Sequence, residues 1–362
     1  MPYVQGAMSA ELAKKRLMNQ QFVAGQFLSA TELVGWLGAV QAQEYAQTKW
    51  GLGLRLPHLS DKDIEQEFLA GNILRTHLLR PTWHFVTAQD IRWLLKLTAP
   101  RVHQANAFMY RKLELDKSIF RRSNDIIGKT LEGQKFLTRD AINEELKANG
   151  LVVQGDRLSY VMMAAELDGL ICSGPRQGNQ FTYALLEERI PVVASLSRDE
   201  ALAELANRYF TSRGPATLHD FSTWSGLTLA DCRKSVQLNS DRLTKYVIDT
   251  VDFYAAEGTS YPANPGNDMH LLPMYDEWIM GYKDRSATLT FRSGLPTIPP
   301  FRFGNLIMSN GQIIGTWKRT IGSKFITVDV DFFVPLTNQQ RNAFDLAIQR
   351  LERFSNLPVR HT

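Results

Sequence analysis

The sequence predicts an α+β protein built from tandem winged helix-turn-helix units and a C-terminal antiparallel β-sheet or barrel-like element. Two observations carry this prediction: a helix, helix and hairpin pattern recurs along the chain up to about residue 250, and short alternating strand patterns replace it afterwards. Because a repeated pattern is harder to produce by chance than a single match, we expect units at 1–125, 126–192 and 193–250, and a β-rich region with a terminal helix at 251–362.

The middle unit has the clearest pattern. Residues 137–151 predict an amphipathic helix that begins after a Thr138 cap and has Asp140 in its first turn. A second helix ends at Gly169, and a Gly-Asn turn at 178–179 leads into an alternating strand. This order is typical of a winged helix-turn-helix.

The first unit repeats that order. Residues 30–43 and 63–72 predict helices, the second of which ends at Gly71. Residues 73–86 alternate like the two strands of a wing hairpin, with Pro81 at the turn.

The third unit begins with a helix over 197–214 that Gly214 closes. Residues 215–236 then predict two short helices on either side of the Ser225-Gly226 break.

The C-terminal region changes to strand patterns. Residues 287–294, 303–320 and 324–333 alternate in hydrophobicity, and an Asn-Gly pair at 310–311 predicts a tight turn. A last amphipathic helix over 337–354 is expected to pack on this sheet.

The composition favours a protein of several small domains and disfavours a membrane protein or a metal-binding protein. The chain has 362 residues, of which 44% are hydrophobic and 22% charged, which is ordinary for a protein of several small domains. No apolar run is long enough to cross a bilayer, and the first residues have no apolar signal core, so no membrane role is expected. Two distant cysteines, Cys172 and Cys232, favour a reducing, cytoplasmic compartment. Scattered histidines without ligand spacing predict neither a metal site nor another cofactor.

The net charge is only +4, so an acidic partner would have to meet local clusters of cations. The first cluster lies between 101 and 130 and comprises Arg101, Arg111, Lys112, Lys117, Arg121, Arg122 and Lys129. The second lies in the β-rich region and comprises Lys283, Arg285, Arg292, Arg302, Lys318 and Arg319. The clusters either flank a groove for nucleic acid phosphates or are ordinary solvated faces, and the accompanying winged-helix patterns favour nucleic acid.

Five segments resemble the AlkZ and YcaQ group of bacterial DNA glycosylases, in the order in which that family carries them. The segments are GAVQAQEYAQTKWGLGLRL, ILRTHLLRPTWHFV, GPATLHDFSTWSGL, LLPMYDEWIMGYKDRS and IIGTWKRT. The resemblance implies a C-shaped body of tandem winged helices whose concave channel holds duplex DNA of the bacterial nucleoid. It also implies an enzyme that excises alkylated purines, including N7-alkylguanine and, in some members, interstrand crosslinks. We further expect a monomer.

The resemblance further implies that Gln41-Ala42-Gln43 is the catalytic element, in the branch of the family that carries Gln-apolar-Gln. An amide has no useful pKa, so Gln41 and Gln43 would position water and stabilise sugar charge instead of acting as bases. Residues i and i+2 do not share a face of a regular helix. We therefore expect Ala42 at a helix terminus. Because N7 of guanine lies in the major groove, a requirement for base flipping stays open.

Further residues are candidates for DNA contacts: Arg75, Arg80, His84, Arg285, Lys318 and Arg319. The alternative role is a hairpin-edge charge for Arg75 and Arg80 and a sheet-edge charge for Lys318 and Arg319. His84 and Trp83 alternate across a strand, so one faces the channel and the other the core, and core packing is expected of Trp83. Asp276 and Glu277 are expected to be structural before catalytic, because adjacent carboxylates point apart.

Two other functions also fit winged helices. A non-catalytic transcriptional regulator would bind one DNA sequence tightly. A protein-interaction scaffold would bind DNA only at very low salt concentration. A glycosylase is expected to bind duplex DNA with little sequence preference and strong salt dependence.

Overall fold

The computed structural model describes residues 2–23, 25–257, 268–288 and 304–361. These residues form helices and four β-sheets, so the α+β prediction is confirmed at this level.

The N-terminal region combines helices with a three-stranded sheet in the order β1-β3-β2. Its helices are α1 (Pro2–Asn19), α2 (Ala30–Leu37), α3 (Tyr45–Arg55), α4 (Asp61–Ala70) and α5 (Ile91–Lys112). Its strands are β1 (Val40–Gln41), β2 (Ile73–Leu78) and β3 (Thr82–Thr87). The hairpin predicted over 73–86 is confirmed, whereas the helix α3 was not anticipated.

The predicted helix over 30–43 is wrong in its second half. A capping box formed by Ser29 and Glu32 starts α2, and Gly38, with φ of 75°, ends it. Val40 then pairs with Phe85 of β3, so the chain is extended from this point.

The next region contains a second three-stranded sheet, in the order β4-β6-β5. Its elements are α6 (Lys117–Leu131), β4 (Leu137–Thr138), α7 (Arg139–Ala148), α8 (Asp156–Leu167), β5 (Ile171–Ser173), β6 (Thr182–Leu185) and α9 (Leu186–Arg189). The Thr138 cap is confirmed, since its side chain accepts from the Ala141 N–H. The boundary expected after residue 125 falls inside α6, which packs with α7 and α8 around Ile127 and Ile142.

The third region consists of helices and one hairpin. Its elements are α10 (Arg198–Arg213), α11 (Leu218–Ser225), α12 (Leu229–Gln237), β7 (Leu243–Ile248) and β8 (Val251–Ala256). The predicted ends at Gly214 and Gly226 are confirmed. The boundary expected after residue 250 falls in the turn of the β7–β8 hairpin.

The C-terminal region is a curled five-stranded sheet in the order β13-β12-β11-β10-β9. Its elements are β9 (Met269–Leu272), α13 (Glu277–Met280), β10 (Leu306–Ser309), β11 (Gln312–Ile321), β12 (Ile326–Phe332), α14 (Asn338–Ser355) and β13 (Val359–His361). The predicted turn is confirmed, with φ of 50° at Asn310 and 77° at Gly311.

The expectation of an antiparallel sheet needs one correction. β13 runs parallel to β12, because α14 carries the chain back along the sheet before the last strand begins. Most of the strand predicted over 287–294 lies outside the described residues, as do Arg292 and Arg302.

The N-terminal helices pack directly on the C-terminal sheet. The indole N–H of Trp50 in α3 donates to the Leu271 carbonyl in β9 (2.7 Å), and its ring lies 5.2 Å from that of Phe354 in α14. A Cβ at Gly53 would collide with the Phe354 ring, so only glycine permits this approach. This packing brings β1 beside α13.

No helix within the described ranges is long and apolar enough to span a membrane. In the same ranges, no three His, Cys, Asp or Glu side chains gather as metal ligands.

Buried histidines make stability depend on pH. Burial and the nearby Arg350 hold the pKa of His270 well below its ordinary value of 6.5. The unfolded chain therefore gains a proton below about pH 6.5 that the folded chain does not. We expect the free energy of unfolding to fall as pH drops through this range, and His270→Gln to reduce the slope by up to about 1.4 kcal/mol per pH unit. Urea unfolding at pH 7.5, 6.5 and 5.5 measures both slopes, and equal slopes would contradict the assignment.

Candidate functional site

The Gln41-Ala42-Gln43 segment is extended. Gln41 pairs with His84 of β3, and the Ala42 N–H donates to the Trp83 carbonyl (2.7 Å). The expectation that Ala42 lies at a helix terminus is therefore wrong, because the extended β1 segment separates it from α2 and α3 begins three residues later. The chain leaves the strand after Gln41, and the two glutamine side chains line different cavities.

Gln41 is nearly enclosed by the protein, with 5% of the residue exposed. Its N–H donates to Glu277 Oε1 (2.9 Å), and its carbonyl accepts from Thr48 Oγ1 (3.1 Å). Its side-chain Oε1 accepts from Arg80 Nη2 (3.1 Å). Backbone and side chain are thus both fixed by groups distant in sequence.

Gln43 is half-buried and lines an open pocket of about 630 Å³. The pocket has aromatic walls and more cations than carboxylates. Its aromatic rings are Tyr45, Phe181 and Phe354, its cations are Lys49, Arg75, Arg176 and Arg319, and its carboxylates are Glu44 and Asp61. Such a lining suits an anionic ligand that also presents flat rings.

Most of these cations have protein partners. Lys49 pairs with Asp61 (2.8 Å) and Glu65 (2.6 Å), and Arg176 lies 3.4 Å from Glu65. Arg319 has no hydrogen bond or ion pair among the described residues, and burial lowers its pKa. Arg319 is therefore the pocket cation most available to an external anion.

Arg75 fixes the glutamine segment from the pocket side. Its Nε donates to the Ala42 carbonyl (2.9 Å) and its Nη2 to the Gln43 carbonyl (3.3 Å). The guanidinium lies 4.2 Å from the centroid of Trp83 and 4.6 Å from that of Phe181. Its hydrogen bonds thus hold the backbone of the glutamine segment, a role that sequence reasoning did not foresee.

Arg80 lies in the turn between β2 and β3. Its Nη1 donates to the carbonyls of Thr223 (3.2 Å) and Trp224 (2.8 Å), and its Nη2 donates to Gln41. Burial lowers the pKa of this guanidinium. Arg80 is therefore hydrogen-bonded to other parts of the protein. A DNA contact by this residue stays a prediction.

His84 is fully buried. Its Nδ1 lies 2.9 Å from the Thr82 carbonyl, and its Nε2 has no partner among the described residues. Burial, together with the nearby Arg80, holds its pKa well below the ordinary value, so the ring is neutral near pH 7. A phosphate contact by His84 would require the ring to become accessible.

Lys318 and Arg319 are adjacent on β11, so their side chains point to opposite faces of the sheet. Arg319 faces the pocket that Gln43 lines, whereas Lys318 is exposed on the other face, opposite Asp329 in the register. On the β10 side the paired register ends at Thr316, so among the described residues Lys318 and Arg319 pair with β12 alone.

Arg285 lies away from both cavities. It is half-buried, its Nε donates to the Ile279 carbonyl (3.0 Å), and burial lowers its pKa. Neither Arg285 nor Lys318 lines the cavities of the two glutamines.

Asp276 and Glu277 point apart, as expected of adjacent carboxylates. Asp276 accepts from Arg55 through both oxygens (2.9 Å each). Glu277 pairs with Arg213 (2.6 Å), with 1% and 0% of the two side chains exposed, and also accepts from the Trp224 indole (3.0 Å). Sequence reasoning missed these arginines, since nothing local links residues 55 or 213 to the acidic pair.

The Glu277 pair is predicted to dominate local stability. Glu277→Gln leaves the Arg213 charge buried without its partner, so the free energy of unfolding should fall by about 3–5 kcal/mol. Glu187→Gln is the control, because the Glu187 side chain is 67% exposed in its pair with the partly buried Arg92 (2.6 Å), so the change should cost less than about 1 kcal/mol. Urea unfolding of both variants measures the difference, and equal losses would contradict the assigned role.

Comparisons with known proteins identify the family of the chain. The sequence model of the family described as "DNA glycosylase AlkZ-like" matches residues 34–354. The chain is 23% identical to an interstrand DNA cross-link repair glycosylase of Streptomyces sahachiroi, over 92% of this chain and 93% of that protein.

The fold is also similar to a solved structure. The Streptomyces sahachiroi DNA glycosylase AlkZ superposes with a TM-score of 0.77 at 21% identity, covering 98% of this chain and 99% of that one. This likeness supports the fold, and the sequence match carries the family assignment. The chain belongs to the AlkZ-like DNA glycosylase family.

Proposed function

We propose that this DNA glycosylase hydrolyses the N-glycosidic bond of alkylated purines in duplex DNA, with N7-alkylguanine as its substrate class. The observation that carries the proposal is the position of Gln43 at a cationic, aromatic pocket, with Gln41, two residues earlier, held by Arg80 and Glu277. The relative named for cross-link repair supports crosslinks through such a base as a further substrate.

Neutral side chains suffice for this reaction because the substrate is already activated. Alkylation at N7 places positive charge on the guanine. The C1′–N9 bond then breaks with its electron pair going to the base, which leaves as neutral N7-alkylguanine. A water oxygen forms the new bond to C1′ and loses its proton to solvent. The protein has to orient the water and stabilise the charge that develops on the sugar.

The two amides can perform these tasks. Each offers one carbonyl acceptor and two N–H donors, and neither changes protonation state near neutral pH. Gln43 reaches the open pocket and orients the water, while Gln41, two residues earlier and lining a separate cavity, completes the site from the buried side. Arg75 and Glu277 keep the intervening backbone extended through hydrogen bonds to Gln43, Ala42 and Gln41.

DNA binding is proposed to use cations around this pocket and on the helices beyond it. Arg319 contacts a phosphate near the lesion, and Lys318, Arg285, Arg75 and His84 are further candidates. The helix and hairpin groups act as winged helix-turn-helix units that hold the duplex. The side chains of the first cationic cluster are all exposed, on α5 and α6. This cluster would extend the contact along the phosphate backbone.

Base release tests the catalytic proposal. The wild-type protein is incubated with a duplex that contains one N7-methylguanine, and free base is measured over time. Gln41→Ala with Gln43→Ala should lower the single-turnover rate by at least about 100-fold, the scale expected when oriented dipoles are removed. Gln47→Ala is the amide control, because Gln47 lines neither cavity and its Oε1 accepts from the Met274 N–H (2.9 Å); it should leave the rate within about threefold. A double variant as fast as wild type would refute the proposal.

Salt dependence tests the DNA-binding surface. Lys117→Ala with Arg121→Ala should reduce the slope of log K against log salt by about 1.8, since each lost phosphate contact removes about 0.9. Lys234→Ala is the control, because that exposed lysine already pairs with Asp199 (2.6 Å). Fluorescence anisotropy with an undamaged duplex at 50–200 mM salt measures the slopes. An unchanged slope in the double variant would show that the face carrying Lys117 and Arg121 does not bind DNA phosphates.

A further inference from the structure

Arg80 dictates which way the Gln41 amide faces. A guanidinium has donors and no acceptor, so only the carbonyl oxygen of an amide can be its partner. In the structure Gln41 Oε1 lies 3.1 Å from Arg80 Nη2. The Gln41 NH₂ group must therefore face away from Arg80, and it donates to no group among the described residues.

Arg80 is itself held in place. Its Nη1 donates to the Thr223 and Trp224 carbonyls in the last turn of α11, where a cation is favoured by the helix dipole. The preceding residue, Leu79, has φ of 59°, and its carbonyl packs so closely on Gly226 that a Cβ there would overlap it. These contacts hold the guanidinium in one position, and the guanidinium in turn fixes the orientation of the Gln41 amide.

Gln43 is not constrained in this way. Only its backbone carbonyl has a bond to the protein, from Arg75 Nη2 (3.3 Å), and its side-chain amide has no hydrogen bond among the described residues. The amide of Gln43 is free to turn its oxygen toward a water molecule. The side-chain oxygen of Gln41 is therefore already bonded to Arg80, whereas the side-chain oxygen of Gln43 can still accept a hydrogen bond.

We propose that Arg80 is a positioning residue that makes Gln41 a hydrogen-bond donor to an oxygen of the damaged nucleotide and leaves the accepting role toward water to Gln43. This proposal rests on the glycosylase function proposed above. It replaces the expectation that Arg80 contacts the DNA backbone, and the two roles predict different kinetics.

Kinetics at saturating enzyme separate the two roles. Under single-turnover conditions on the N7-methylguanine duplex, Arg80→Met should lower the maximal rate of base release about tenfold and leave the half-saturating enzyme concentration unchanged. Arg80→Lys should restore part of the rate, because an ammonium can still donate to Oε1. If Arg80 instead contacts DNA, the half-saturating concentration rises and the maximal rate stays, which overturns the proposal.

Carboxylate variants test the donor and acceptor roles. Gln41→Glu keeps an oxygen toward Arg80 and loses both donors, so base release should fall about 100-fold. Gln43→Glu keeps an acceptor for water, so its loss of rate should be smaller, about tenfold. Equal losses in the two variants would overturn the division of roles.

Thermal unfolding supplies a readout independent of activity. Gln41→Glu should unfold near the wild-type temperature, because the new carboxylate faces Arg80. Adding Arg80→Met to it should lower the unfolding temperature by more than the two single changes together. Additive shifts would show that Arg80 does not face Gln41 and overturn the proposal. A wild-type protein without base release, combined with non-additive shifts, would refute the glycosylase substrate and leave the Arg80–Gln41 orientation standing.

Discussion

The buried pair between Glu277 and Arg213 is the interaction on which the site depends. Its two charges are almost completely removed from water, and each also binds the backbone beside the glutamines: Glu277 accepts from Gln41 N–H, and Arg213 donates to the carbonyls of Leu37 (2.8 Å) and Ala39 (3.1 Å). A buried pair of this kind contributes little net stability compared with an apolar replacement, but losing one member is costly. Here its consequence is geometric, because it fixes the path of the chain from α2 into β1.

That fixed path explains how a reaction without an acid or base could be organised. Gln41 is held from behind by Glu277 and Arg80, and the backbone of Gln43 is held from the pocket side by Arg75. A neutral amide contributes to catalysis only through its orientation, so its value depends on how little it moves. The many long-range contacts around this three-residue segment restrict its motion and so keep both amides oriented.

Much of the fold followed from local signals. The Thr138 cap, the Gly226 helix end and the Asn310-Gly311 turn were all predicted, because each depends on a few neighbouring residues. The site was harder to predict. β1 forms only because a distant hairpin pairs with it. The local sequence over 30–43 therefore fits a continuous helix as well as a helix followed by a strand. Likewise, the roles of Arg75 and Arg80 depend on partners that only the folded chain brings near, such as Phe181 and Trp224.

Catalysis by neutral amides is tested by the pH dependence of single-turnover base release from an N7-methylguanine duplex. The amides do not titrate, the arginines stay charged, and buried His84 has a pKa well below 6.5. We therefore expect a maximal rate that is constant between pH 6.5 and about 8. A rate that changes about tenfold per pH unit within this range would show that a titrating acid or base carries the reaction, and would contradict catalysis by neutral amides.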